Sequence, residues 1–151
     1  MIENSQTILP TFEPLQTGAA GLPWVARDLS VDHFEVRGKR ILLVEDEQPL
    51  RSVLRMMLEP EGHQVTEASN GAEALNLFKL GEFDLVITDF EMPAMKGNEL
   101  AVCLKQLAPS LPILMVTGSG QPRCDATNPV DILLSKPFTM TDLCCALSEL
   151  L

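Results

Sequence analysis

The sequence predicts an α/β domain built on a five-stranded, doubly wound parallel sheet, and three observations carry that prediction. Four short runs are almost wholly apolar: Ile41-Leu42-Leu43-Val44, Leu85-Val86-Ile87-Thr88, Ile113-Leu114-Met115-Val116 and Ile132-Leu133-Leu134-Ser135. Strands that are apolar on both faces belong to parallel sheets covered by helices on each side. Stretches with helical spacing of apolar residues alternate with these runs from Arg40 onward. Each run also ends on a group with chemistry to offer: Glu45-Asp46, Asp89, Thr117 and Lys136. Ligands of open parallel sheets bind just outside the carboxyl ends of the strands.

Each element has its own local signal. After the first strand, Pro49 suits the first turn of a helix, and Leu50, Val53, Leu54, Met57 and Leu58 recur at helical spacing. Pro60-Glu61-Gly62 ends that helix, and Gln64–Ala68 reads as a short second strand. Ser69-Asn70-Gly71 leads into a helix with Ala72, Leu75, Leu77 and Phe78, and Gly81 stops it before the third strand. Residues 91–97 form a loop. Asn98 is expected to cap the next helix, with Leu100, Leu104 and Leu107 along one face. Pro109 and Pro112 mark the turn into the fourth strand. Residues 118–130 are irregular, with Gly118, Gly120, Pro122 and Pro129, so a fourth helix before the fifth strand is expected to be short or absent. Thr139-x-x-Asp142 reads as a weak capping box for the last helix, whose core face is Leu143, Ala146, Leu147 and Leu150.

Residues 1–38 differ from the rest. Pro10, Pro14, Pro23, Gly18 and Gly21 break any periodicity, so this stretch reads as an N-terminal arm or linker ahead of a domain over 39–151. Trp24, the one tryptophan, reads as a packing residue for the arm.

Composition narrows the function. The formal charge of −10 and the lack of clustered Lys and Arg argue against a nucleic-acid partner. No apolar run reaches the ~18–20 residues that span a bilayer, and no secretory leader is visible, so a cytoplasmic protein without membrane insertion is expected. Cys103, Cys124, Cys144 and Cys145 form no C-x-x-C pair and are expected to be reduced, small, buried thiols. His33 and His63 have no ligand partner at metal spacing and read as surface or turn residues. Met56, Met57, Met92 and Met95 read as core or loop packing.

If the strands are parallel neighbours, Glu45, Asp46 and Asp89 meet at one edge with Thr117 and Lys136. Carboxylates this close repel one another unless a cation intervenes. Oxygen ligands that are few in number and leave room for water favour Mg²⁺. An ammonium and a hydroxyl beside them suit a phosphoryl group, and phosphoryl transfer depends mostly on positioning and charge neutralisation. A carboxylate can itself be the nucleophile.

The order and spacing of four motifs resemble the receiver domain of two-component response regulators. These are Ile41–Glu47, Asp89-Phe90-Glu91-Met92-Pro93 with Gly97, Val116-Thr117-Gly118, and Lys136-Pro137-Phe138. The resemblance covers about residues 39–151. It implies a flavodoxin-like sheet in the order 2-1-3-4-5 and a phosphoacceptor at Asp89. It implies Mg²⁺ held by Asp46 and Asp89, with Glu45 assisting through water and the backbone carbonyl of Glu91 completing the set. Thr117 and Lys136 would bind the phosphoryl oxygens, and Lys136–Pro137 would be cis. The side chains of Glu91 and Ser119 would tune dephosphorylation. The expected partners are a histidine kinase or a histidine phosphotransfer protein, with a downstream protein partner that the sequence leaves unknown. A bacterial two-component phosphorelay is the expected setting. The chain would be a signalling phosphoacceptor that acts on itself rather than an enzyme with a separate substrate.

Two departures from that pattern matter. The residue three before the lysine is usually Tyr or Phe in the family, and here it is Leu133. Leucine cannot make the same inward swing as that ring, and the sequence leaves open whether Leu133 abolishes the usual Thr–aromatic switch. Thr117 and Lys136 are 19 positions apart, about one helical turn short for the family. Lys96 stands where an acidic residue often precedes the glycine, and no role is assigned to it. The main alternative is a binding-only receiver that never turns over phosphate. A Mg²⁺-dependent phosphohydrolase of the haloacid-dehalogenase type is disfavoured because Asp89-Phe90-Glu91 lacks the second aspartate. A flavodoxin is disfavoured because Glu45-Asp46-Glu47 would repel a flavin phosphate.

Overall fold

The structure, a computed structural model, describes residues 38–118 and 129–151. The arm before Gly38 with Trp24 and His33, and the segment 119–128 with Ser119 and Cys124, lie outside the described residues. So does most of the stretch in which a short or absent fourth helix is expected.

Five strands alternate with helices. They are β1 (Arg40–Val44), β2 (Gln64–Ala68), β3 (Leu85–Asp89), β4 (Ile113–Thr117) and β5 (Ile132–Ser135). The described helices are α1 (Gln48–Leu58), α2 (Gly71–Leu80), α3 (Gly97–Leu107) and α4 (Met140–Leu150). All pairings are parallel, as the apolar strands predict, and the order β2-β1-β3-β4-β5 is the one that the family resemblance implies.

Successive residues of a strand point to opposite faces, so each central strand feeds two cores. Leu42, Val44, Val86, Ile113 and Met115 are buried with Ala74 of α2 and Leu100, Ala101 and Leu104 of α3. Ile41, Leu43, Leu85, Ile87, Leu114 and Val116 are buried on the other face with Leu54 and Leu58 of α1 and Leu143, Ala146 and Leu147 of α4. A register slip of one residue would exchange these sets, so two covered faces fix the register and with it the level at which each strand ends.

The ends of the helices follow their sequence signals with one exception. Pro49 sits in the first turn of α1. A short 3₁₀ turn over Glu59–Glu61 closes at Gly62, which takes φ 89°. Asn70 caps α2 by accepting the Glu73 N–H. Thr139 and Asp142 form a reciprocal capping box at α4. The exception is α3. It begins at Gly97, with Lys96 rather than Asn98 at the cap, and the Lys96 N–H donates to Glu99 Oε2 at 3.0 Å.

Other expectations are corrected by packing. Val53 and Leu107, expected on buried helix faces, are exposed, as is Ala72. His63 is buried rather than superficial. Cys103 and Cys144 are half-buried and Cys145 is exposed, and all three are free thiols. Met92 is core, whereas Met56 is exposed. Among the described residues no helix is long and apolar enough to cross a membrane.

Candidate functional site

The register of the sheet brings the strand ends together. Val44 of β1 pairs with Thr88 of β3, so Glu45 and Asp89 stand one step beyond the same rung. Asp89 pairs with Val116, and Thr117 pairs with Ser135. Asp89, Thr117 and Lys136 therefore rise as adjacent steps along the carboxyl edge. The Lys136 N–H donates to the Thr117 carbonyl at 2.7 Å, and the Phe90 N–H donates to the Val116 carbonyl at 2.9 Å. The Lys136–Pro137 peptide is cis, as expected.

Carboxylate oxygens of Glu45, Asp46 and Asp89 lie within 4.8 Å of one another. Glu45 and Asp89 are buried, and Asp46 is half-buried. Lys136 Nζ donates to Asp89 Oδ1 at 2.9 Å and reaches Glu45 Oε2 at 3.5 Å. Burial, and then the charge of Asp89, push the Glu45 carboxyl above the usual carboxylate range, against the Glu47 N–H and Lys136. Burial opposes the charge on Lys136, but the Asp89 hydrogen bond and the two nearby carboxylates outweigh it and raise the ammonium. One ammonium thus faces three carboxylates. This is a surplus of negative charge that a divalent cation with oxygen ligands would relieve, and the donor set fits Mg²⁺.

Thr117 is buried at the end of β4, with its hydroxyl 3.3 Å from the Gly118 carbonyl that it donates to. Glu91 lies on the exposed loop two residues past Asp89. Lys96 holds its Nζ 5.6 Å from the centroid of the Phe90 ring, a cation–π distance. Leu133, half-buried, packs on the core shared with α2 and α3.

Two supports of the site are less plain in the sequence. Arg51 of α1 donates from Nη1 to the Glu45 carbonyl at 2.6 Å and also reaches the Asp46 carbonyl at 3.5 Å. Its Nε lies 3.3 Å from Glu67 on β2. The guanidinium therefore ties the acidic loop to the neighbouring strand. Gly97 is the other support. A Cβ there would collide with the Asp89 carbonyl oxygen and stand 3.1 Å from Phe90 Cα. The Gly97 N–H donates to the Phe90 carbonyl at 3.0 Å, so α3 begins directly against the backbone of β3's end.

Comparison with known proteins decides the family. The response regulator receiver domain family matches residues 41–148. The chain belongs to the response regulator receiver family. The receiver is 38% identical over 117 residues to the response regulator receiver protein CpdR of Brucella abortus, covering 75% of this chain and 97% of that protein. It is 34% identical over 116 residues to the sensor kinase CckA of the same organism, covering 74% of this chain but 12% of the kinase. Its fold matches the response regulator TrrA of Thermotoga maritima, solved in complex with Mg²⁺ and BeF, with a TM-score of 0.71 and 36% identity over 75% of this chain and 99% of that one. TrrA solved in complex with the histidine kinase ThkA matches at a TM-score of 0.69, again with 36% identity, over 75% of this chain and 98% of that one. Receivers of this kind thus occur both as whole response regulators and inside sensor kinases, and this one is a receiver domain of two-component signalling.

Proposed function

We propose that Asp89 is the phosphoacceptor of this receiver and takes its phosphoryl group from a phosphohistidine on a histidine kinase or phosphotransfer protein. The observation that carries the reading is the meeting of Asp89 with Glu45, Asp46 and the Lys136 ammonium at one sheet edge. Asp46 and Asp89 would ligate Mg²⁺, with Glu45 assisting through water and the Glu91 carbonyl completing the set. When bound, the cation supplies neutralisation of the carboxylates and of the incoming phosphoryl oxygens. A carboxylate oxygen of Asp89 attacks phosphorus, and the new P–O bond forms as the P–N bond to the histidine breaks. The imidazole nitrogen leaves with the bonding pair. Lys136 exchanges its contact with Asp89 for a phosphoryl oxygen, and the Thr117 hydroxyl turns from the Gly118 carbonyl to donate to another. Water later attacks phosphorus, the P–O bond to Asp89 breaks, the carboxylate leaves with the bonding pair and inorganic phosphate is released; Glu91, two residues on in the chain, would border that approach.

On this reading the chain acts on itself rather than on a separate substrate, works in the cytoplasm and passes its state to a protein partner. Leu133 favours onward relay, or output through another face, over a Thr–aromatic exchange. Intact-protein mass after exposure to acetyl phosphate tests the proposal. Wild type with Mg²⁺ gains one phosphoryl group, and chelation or Asp89→Ala abolishes the gain. No adduct in the wild type, with no Mg²⁺-dependent NMR shifts around Asp46 and Asp89, would leave a binding-only receiver.

A further inference from the structure

The pole of the sheet opposite the acidic site carries a second conspicuous surface. A groove of about 400 Å³ lies between the α2–β3 and α3–β4 connections, lined by Phe78, Phe83, Ala108, Leu111 and Pro112 among others. The Phe78 and Phe83 rings stack within it, 6.2 Å between centroids. Two leucines adjoin its lining residues in the chain, Leu80 at 87% exposure and Leu107 at 53%. The groove's lining is mixed, with Glu82, Asp84 and Ser110 beside the rings, and the exposed leucines lengthen the apolar part of this end of the domain.

The chain enters the domain at that same pole. The Arg40 N–H and guanidinium bond Asp84 at 2.8 and 2.9 Å, and the guanidinium also bonds Glu82 at 2.7 Å. Glu82 and Asp84 flank Phe83 and line the groove themselves. The first described residue, Gly38, is pinned by its N–H to the Gly62 carbonyl at 3.1 Å. Before it stand 37 further residues. Their last stretch holds two of the arm's three aromatic residues, Trp24 and Phe34, with Val25, Leu29, Val31 and Val36 among them.

We propose that the groove at the base of α2 and α3 is the docking site for the chain's own segment 24–36. Phe34 is four residues from Gly38 and can reach about 14 Å at full extension, several strand spacings. A tether this short holds the segment near the groove at an effective concentration on the order of millimolar. Tryptophan and phenylalanine each have on the order of 150–250 Å² to bury. A second copy of the chain is the weaker occupant, because a charge of −10 on each molecule opposes association. The segment would then cover the base of the receiver and leave the acidic edge free.

Trp24 is the one tryptophan and there is no tyrosine, so fluorescence of the full chain reports on the arm alone. Docking predicts a blue-shifted Trp24 emission and slow acrylamide quenching, both unchanged on dilution. The double variant Leu80→Glu, Leu107→Glu should red-shift the emission and raise the quenching constant several-fold. It should keep the wild-type far-UV spectrum, since both leucines are exposed. In the full chain, Phe34→Ser should also move the amide resonances of Leu80, Phe83 and Leu111. A water-exposed Trp24 in the wild type overturns the proposal. So does a blue shift that the double variant leaves in place. A blue shift lost on dilution also overturns it and assigns the groove to a second copy.

Discussion

At the scale of single residues the site depends on groups whose partners are backbone as much as on the carboxylates. Gly97 is the sharpest case, because the atom it lacks would occupy the space of the Asp89 carbonyl oxygen. Gly97→Ala must push the start of α3 away from the end of β3, and overpacking of this kind costs about 1–3 kcal/mol. Urea unfolding should show that loss, and the rate of phosphoryl uptake should fall with it, because the backbone that moves carries Asp89. Gly118→Ala is the contrast, since a Cβ there meets open space, and its midpoint should stay near the wild type. The sequence made Glu45, Asp46, Asp89, Thr117 and Lys136 legible because strand direction and register alone decide where strand ends fall. Gly97 could be seen as part of a motif, but not why the position needs glycine. Arg51 left no trace, because a side chain that binds the carbonyls of Glu45 and Asp46 leaves no complementary residue type to notice.

At the scale of elements, helical period located the helices, but their burial depended on neighbours that period does not encode. Leu100 and Leu104 are buried while Leu107, on the same predicted face but at the last residue of α3, is exposed. Asn70 caps α2 as its type suggests, whereas Asn98 lies inside α3, because Gly97 must already be helical to pack on Asp89. The start of β2 shows the same limit. His63 reads as a surface or turn residue, yet it is buried, and its Nδ1 is a buried atom without a hydrogen-bond partner among the described residues. Burial holds its imidazole below the ordinary value, with Lys39 acting in the same direction and Glu61 against it. The unfolded chain therefore binds the proton more readily than the folded one. His63's contribution to stability is fully present above the unfolded value of about 6.5 and is lost as pH falls through it towards the depressed folded value. His63→Leu should remove that slope. Urea unfolding of both proteins at about pH 7.5 and pH 5 should give a smaller loss on acidification for the variant than for the wild type. Equal losses would show that the imidazole does not titrate differently on folding.

At the scale of the whole molecule, the order β2-β1-β3-β4-β5 draws Glu45 and Asp46 from the first strand and Asp89 from the third to one edge. The loops that carry them are separated by more than forty residues of chain, so the cluster exists only when the sheet is assembled. A cation that binds the cluster must therefore bind the folded protein and not the unfolded one. Linkage then requires Mg²⁺ to stabilise the entire domain, by about 2.7 kcal/mol at a hundredfold excess over its dissociation constant. The net charge of −10 offers a competing explanation, since any salt screens self-repulsion. The two are separable by thermal unfolding in MgCl₂ and in NaCl of equal ionic strength. Specific binding predicts a rise in midpoint that continues logarithmically with Mg²⁺, exceeds the NaCl effect and largely disappears in Asp46→Asn. Asp46 is the suitable residue to change because it is half-buried and its side chain is not bonded to Lys136. Equal midpoints in the two salts, in wild type and variant alike, would reduce the acidic edge to a charged surface and remove the metal from the proposed chemistry.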